Sequence, residues 1–141
     1  MRNHKCIRLL LFSLSIILSI SSCTSAFPNG KLDYMWRLDK ITYLNGHDYN
    51  GNECAEEEKG KVWYSFARDL VEISDNQPHG KIGITTDYGD SIKFDFSMYP
   101  SITDLHPCGI WNNITTFKIE LLDSGKMILS DQNVRLSFTR W

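Results

Sequence analysis

From Tyr34 onward, short runs of alternating apolar and polar residues are separated by clusters of turn formers. A two-residue period marks strands with one buried face. Eight such runs are present: Tyr34–Leu44, Lys61–Ala67, Leu70–Ser74, Lys81–Thr86, Ser91–Phe96, Ile114–Leu122, Met127–Ser130 and Val134–Arg140. The alternation puts Val62, Tyr64 and Phe66 on one face, and likewise Ile92, Phe94 and Phe96; Phe117, Ile119 and Leu121; and Val134, Leu136 and Phe138. Asp75–Gly80, Asp87–Asp90, Asp123–Lys126 and Asp131–Asn133 carry the Asp, Asn, Gly and Ser residues that tight turns use. A helical turn is expected only at Glu53–Lys61, inside a loop. Eight short strands without a long crossover predict an all-β, antiparallel up-and-down barrel, which removes its own sheet edges by closing. A two-sheet sandwich is the alternative the pattern leaves open.

The N-terminal 22 residues follow a different pattern. Arg2, Lys5 and Arg8 precede an apolar run from Leu9 to Ile20, interrupted by Ser13, Ser15 and Ser19. The run is too short for a bilayer span of about 20 residues and reads as a secretory signal. Ile20-Ser21-Ser22-Cys23 then resembles the lipobox of bacterial lipoproteins. That resemblance implies cleavage before Cys23 and acylation of Cys23, leaving residues 23–31 as a tether and 32–141 as the folded domain. An uncleaved helix or a plain signal peptide are the alternatives. Thr24 stands where an inner-membrane retention Asp would, so the resemblance implies the outer membrane; no acidic run of the surface-export kind follows Cys23, which points to the periplasmic leaflet.

Residues 1–22 hold three basic residues and no acid, so their removal shifts the net charge from −2 to −5. A mildly acidic domain lacks the basic footprint that nucleic acid requires. Of the four cysteines, Cys6 leaves with the signal and Cys23 takes the lipid, leaving Cys54 and Cys108. A lone pair in an oxidising compartment is most simply a disulfide, with a metal pair or a reactive thiol as alternatives.

Catalytic chemistry is sparse. His47, His79 and His106 fall in predicted loops, and only His106 lies near a second potential ligand, Cys108. No nucleophile elbow or phosphate-binding glycine loop occurs. Asp48–Glu53 alternates side-chain oxygens as a calcium loop does, but Glu53 stands where glycine is needed and Lys59 where the bidentate glutamate belongs. Asp90-Ser91-Ile92 resembles a short O-glycan acceptor motif, and Asn113-Ile114-Thr115 matches the N-glycan triplet. The expectation is therefore a protein that is not an enzyme, without metal or cofactor. The aromatics Trp63, Tyr64, Phe66, Phe94, Phe96, Tyr99 and Trp111 are the ligand-binding candidates, suited to an apolar or amphipathic molecule. The long segment Ser97–Asn113 is the lid candidate. A filled barrel serving a protein partner is the alternative.

The opening Met35-Trp36-Arg37-Leu38 with Asn45-Gly46 carries a resemblance. So do the closing Phe117–Leu121, Lys126–Leu129 and Arg135–Arg140. Together they resemble the lipocalin-like lipoproteins of Bacteroidetes, which implies a lipocalin-like (calycin) barrel. It also implies that Trp36 plugs the closed end beneath an arginine of the last strand, Arg140 or else Arg135. Tyr34 stands where lipocalins carry the glycine of Gly-x-Trp, a departure from that pattern.

Overall fold

The computed structural model describes residues 32–76 and 79–141. The signal segment, Cys23 and the tether lie outside the described residues. Eight antiparallel strands follow one another: β1 (Met35–Tyr43), β2 (Glu56–Ala67), β3 (Leu70–Asp75), β4 (Lys81–Asp87), β5 (Ser91–Asp95), β6 (Ile114–Leu122), β7 (Lys126–Ser130) and β8 (Val134–Arg140). Each pairs with its sequence neighbour, and β8 returns to β1, so the sheet is a closed up-and-down barrel and not a sandwich.

Alternation decides what faces inward. Val62, Tyr64 and Phe66 of β2 are buried, as are Ile92 and Phe94 of β5 and Val134, Leu136 and Phe138 of β8. In β1 the phase changes midway: Trp36 and Leu38 face in, then Ile41 and Tyr43 do. A bulge at Asp39 shifts the register against both neighbouring strands. Such an extra residue flips the face of everything after it. Asp39 is held by Arg37 Nε at 2.8 Å and by the Thr139 hydroxyl at 2.5 Å.

The Glu53–Lys61 segment is not helical. From Glu56 it extends β2 by five residues beyond the expected start at Lys61. Its charges are neutralised across strands: Lys40 Nζ lies 2.7 Å from Glu56 and 3.4 Å from Glu58. Lys59 pairs with Glu57. Tight turns close the β4–β5, β6–β7 and β7–β8 hairpins as their sequences require. Asp87, Asp123 and Asp131 each accept, through Oδ1, the backbone N–H two residues on.

Successive connections alternate between the two ends of the barrel. The β2–β3, β4–β5 and β6–β7 turns, with Leu32–Tyr34 and Trp141, form the closed end. The long β1–β2 and β5–β6 connections, with β3–β4 and β7–β8, form the loop end.

Candidate functional site

The barrel interior is filled. Tyr64 meets Phe138 at 4.9 Å between ring centroids, and Phe94 meets Phe117 at 5.5 Å and Phe66 at 5.9 Å. Tilted and edge-on rings at these separations gain more than their buried area alone supplies. Phe96 lies over Gly83 of β4, filling the space that a Cβ there would occupy: it would come within 2.6 Å of the ring. Of the aromatics read as ligand contacts, Tyr64, Phe66, Phe94 and Phe96 therefore form the core. Trp63 has the opposite parity. It sits on the outer face, edge-on to Trp141 at 4.9 Å. Tyr99 and Trp111 are half-buried at the loop end.

The 96–113 connection folds down over the loop end. Its base is pinned by the Phe96 N–H donating to Asn113 O at 2.6 Å. Thr103–Cys108 forms a 3-10 helix, and Ile102, Leu105, Cys108 and Ile110 enter the core. Two features set its height. The Tyr64 hydroxyl, from inside the barrel, donates to Cys108 O at 2.8 Å. Gly109, at φ +94, lies so close to β8 that an added Cβ would stand 2.5 Å from Leu136 Cδ2.

Beside this plug is a cavity of about 360 Å³. Ile73, Leu105, Pro107 and Cys108 give it an apolar floor; Asp75, His79, Lys81 and Asp104 give it a polar rim. Lys81 is positioned by Asp104 at 3.0 Å, by Ser101 O at 3.1 Å and by the face of Tyr99 at 4.6 Å. The Tyr99 hydroxyl in turn accepts the Ile82 N–H at 3.0 Å. On the other side of the plug, Trp111 stacks on His106 at 5.7 Å and meets Tyr43 and Tyr49 edge-on at 6.2 and 6.0 Å. Among the described residues, neither the Tyr43 hydroxyl nor Trp111 Nε1, both buried there, meets a hydrogen-bond partner. Burial, followed by the nearby Glu57 carboxylate, raises the Tyr43 phenol well above its ordinary range.

Cys54 and Cys108, expected to be a disulfide, are instead both free thiols. Cys54 belongs to a loop closed on itself by the His47–Glu53 bridge and by Cys54 N–H to Gly46 O at 2.9 Å. Its Sγ turns to Glu56 O at 3.1 Å. Cys108 is directed into the core, where burial, reinforced by Asp75, pushes its thiol up to about 12. The Cys108 backbone is tied to β2 by the Tyr64 hydroxyl. The Asp48 loop likewise satisfies itself: its carboxylate accepts Asn50 N–H and Asn52 N–H at 2.8 Å and Asn52 Nδ2 at 3.0 Å. These bonds hold the Asp48 carboxyl below its ordinary range, led by the Asn52 side chain. Among the described residues, no group of three or more His, Cys, Asp or Glu side chains is placed to hold a metal.

At the closed end Trp36 is fully buried, and its Nε1 donates to Leu32 O at 3.3 Å. Arg140 is its cross-strand neighbour. The guanidinium, however, lies over Tyr34, 3.2 Å from the ring centroid, and donates to Ser124 O at 3.2 Å. Tyr34, standing in place of a glycine, thus takes the cation.

The model of the lipocalin-like domain family matches residues 16–141. A lipocalin-like protein from Bacteroides uniformis superposes with a TM-score of 0.62 at 18% identity, covering 79% of this chain and all of its own. An uncharacterized protein from Bacteroides eggerthii gives 0.62 at 17% identity, covering 78% of this chain and 99% of its own. No curated protein matches.

Proposed function

The chain belongs to the lipocalin-like domain family, and on that premise we propose that it is a lipid-anchored envelope protein holding a small amphipathic molecule at the loop end of its barrel. The supporting observation is the cavity of about 360 Å³ between β3, β4 and the 3-10 plug, beside an interior already filled by aromatic rings. Its volume falls at the lower end of small-molecule sites, and an apolar floor with a few convergent polar groups is their usual chemistry. The apolar part of the ligand packs on Ile73, Leu105 and Pro107, and its polar head meets the Lys81–Asp104 pair at the rim. The anchor rests on the basic head, short apolar run and Cys23 of the N-terminal sequence. Two solved relatives in structure come from Bacteroides, which is consistent with a bacterial envelope.

Native mass spectrometry after exposure to an envelope lipid extract tests ligand holding. A retained small molecule is expected, and Leu105→Trp, which fills the cavity, should abolish its retention. Wild-type protein that emerges without any adduct overturns the reading. A second reading, docking of a protein partner, draws on an apolar row across the outer face. Leu70 pairs with Ile84, and Asp95 separates Ile84 from Ile114, with all three apolar side chains exposed. Loss of a co-purifying partner on Ile84→Lys, with ligand retention intact, would favour it.

A further inference from the structure

Exposed aromatics are confined to one end of the barrel. Among the described residues the large exposed aromatic side chains are Tyr34 (39%), Tyr88 (59%) and Trp141 (73%), and all three belong to the closed end. Tyr88 sits in the β4–β5 turn, and Tyr34 and Trp141 flank the paired ends of β1 and β8. Exposed aliphatic residues do not share this bias: Met35 and Leu121 lie at the closed end, Leu44 and Met98 at the loop end. The Trp141 backbone N–H donates to Met35 O at 2.9 Å, which fixes the main chain, and its ring packs on Trp63. By contrast, Tyr43, Tyr49, Tyr99 and Trp111 at the loop end are buried or half-buried.

The chain enters the fold at this same end. Leu32 lies nine residue steps after Cys23, a reach of at most about 32 Å when fully extended. Attachment of Cys23 to a membrane therefore keeps the closed end within about 32 Å of the lipid, nearer than the loop end can be held. Tyrosine and tryptophan, apolar in body and polar at the tip, are the residues that partition to the headgroup layer. Charges at this end are mixed: Arg68, Lys126 and Arg140 against Asp33, Asp69, Asp87, Asp90 and Asp123. Attraction to anionic lipid does not drive the contact; aromatic burial does.

We propose that the closed end rests on the zwitterionic headgroup layer through Tyr34, Tyr88 and Trp141, so that the loop-end cavity opens away from the membrane. The proposal rests on the anchored reading of Cys23. It makes the cavity accessible to ligands arriving through the aqueous compartment and not directly from the bilayer beneath.

The test uses full-length acylated protein in phosphatidylcholine–phosphatidylethanolamine vesicles whose acyl chains carry bromine, a short-range quencher of tryptophan. In a Trp63→Phe/Trp111→Phe variant, which keeps Trp36 and Trp141, the emission lost on adding Trp141→Phe gives the Trp141 share, and bromine should cut that share by about half, as expected for a ring at the interface. In a Trp63→Phe/Trp141→Phe variant, the Trp111 share, taken in the same way by adding Trp111→Phe, should not change. An acylated, vesicle-bound protein whose Trp141 is unquenched, or whose Trp111 is quenched instead, overturns the seating alone. A chain whose N-terminal peptide carries no acyl mass overturns the anchor and the seating together.

Discussion

The two ends of this barrel solve the same problem by different means. The closed end is sealed by strand side chains and the residues leading directly into β1: Trp36 lies under Leu32, and Arg140 lies across Tyr34. The loop end is sealed by an inserted segment, 96–113, held by the Tyr64 hydroxyl from within the barrel, by Lys81 and Ile82 of β4 at its rim, and by a close approach at Gly109. A seal built from strand residues cannot open without disturbing the sheet. One built from a separate segment can be reshaped beside an intact sheet, and the cavity lies at that end.

The largest expected effect is at the closed end. Trp36→Ala should cost about 3–5 kcal/mol, the range for deleting a large buried aromatic, read as a lowered urea midpoint for the whole barrel. A loss confined to closed-end amides would break the idea that this end is inseparable from the sheet.

Next is alkaline pH, which acts chiefly on the loop end. The folded Cys108 thiol titrates near 12 against an ordinary 9.0, and burial raises the Tyr64 phenol well above its usual range. A raised pKa means that the folded state holds its proton more tightly. The associated stability is thus complete below about pH 9 and falls as pH rises toward 12, by up to about 4 kcal/mol for the thiol. Cys108→Ala should flatten part of that slope in pH-dependent urea titrations. Denatured protein prepared without reductant should show Cys54 and Cys108 as two reactive thiols.

Tyr64→Phe is a smaller change. It keeps the ring and removes the bond to Cys108 O, at a cost of about 1–2 kcal/mol. Hydrogen exchange should accelerate in residues 103–110 while β1 and β8 stay protected; equal acceleration everywhere would dissolve the contrast between the ends. The smallest effect belongs to the Arg140–Tyr34 pair, where a double-mutant cycle with Arg140→Ala and Tyr34→Leu should give a coupling of about 0.5–2 kcal/mol.

Much of the fold could be read from the sequence, because period two and turn chemistry are local. β6 and β8 begin and end where the alternation does. Glu56–Lys61 misled because a run of glutamates resembles a solvated helical turn when seen alone. Its strand depends on Lys40, which lies 16 residues away from Glu56. Trp63 was legible after all: with Val62, Tyr64 and Phe66 facing inward, its position dictates the outer face. The cavity was not, since Ile73, Lys81 and Leu105 come from three elements that only the closed sheet brings together. The one available clue was the apolar spacing of Ile102, Leu105 and Ile110 within a long loop. The cysteine pair failed as a disulfide because counting residues says nothing about where each thiol points.

The contact between Gly109 and Leu136 also bears on the order of folding. A chain synthesised from its N-terminus makes the 96–113 segment before β8 exists. The surface that receives Gly109 is completed only when β8 pairs with β1 and shuts the barrel. The plug must then wait, unsupported on one side, until the last strand arrives, and the cavity beside it is among the last features to take shape. Its amides should accordingly be the slowest to gain protection on refolding and the quickest to lose it.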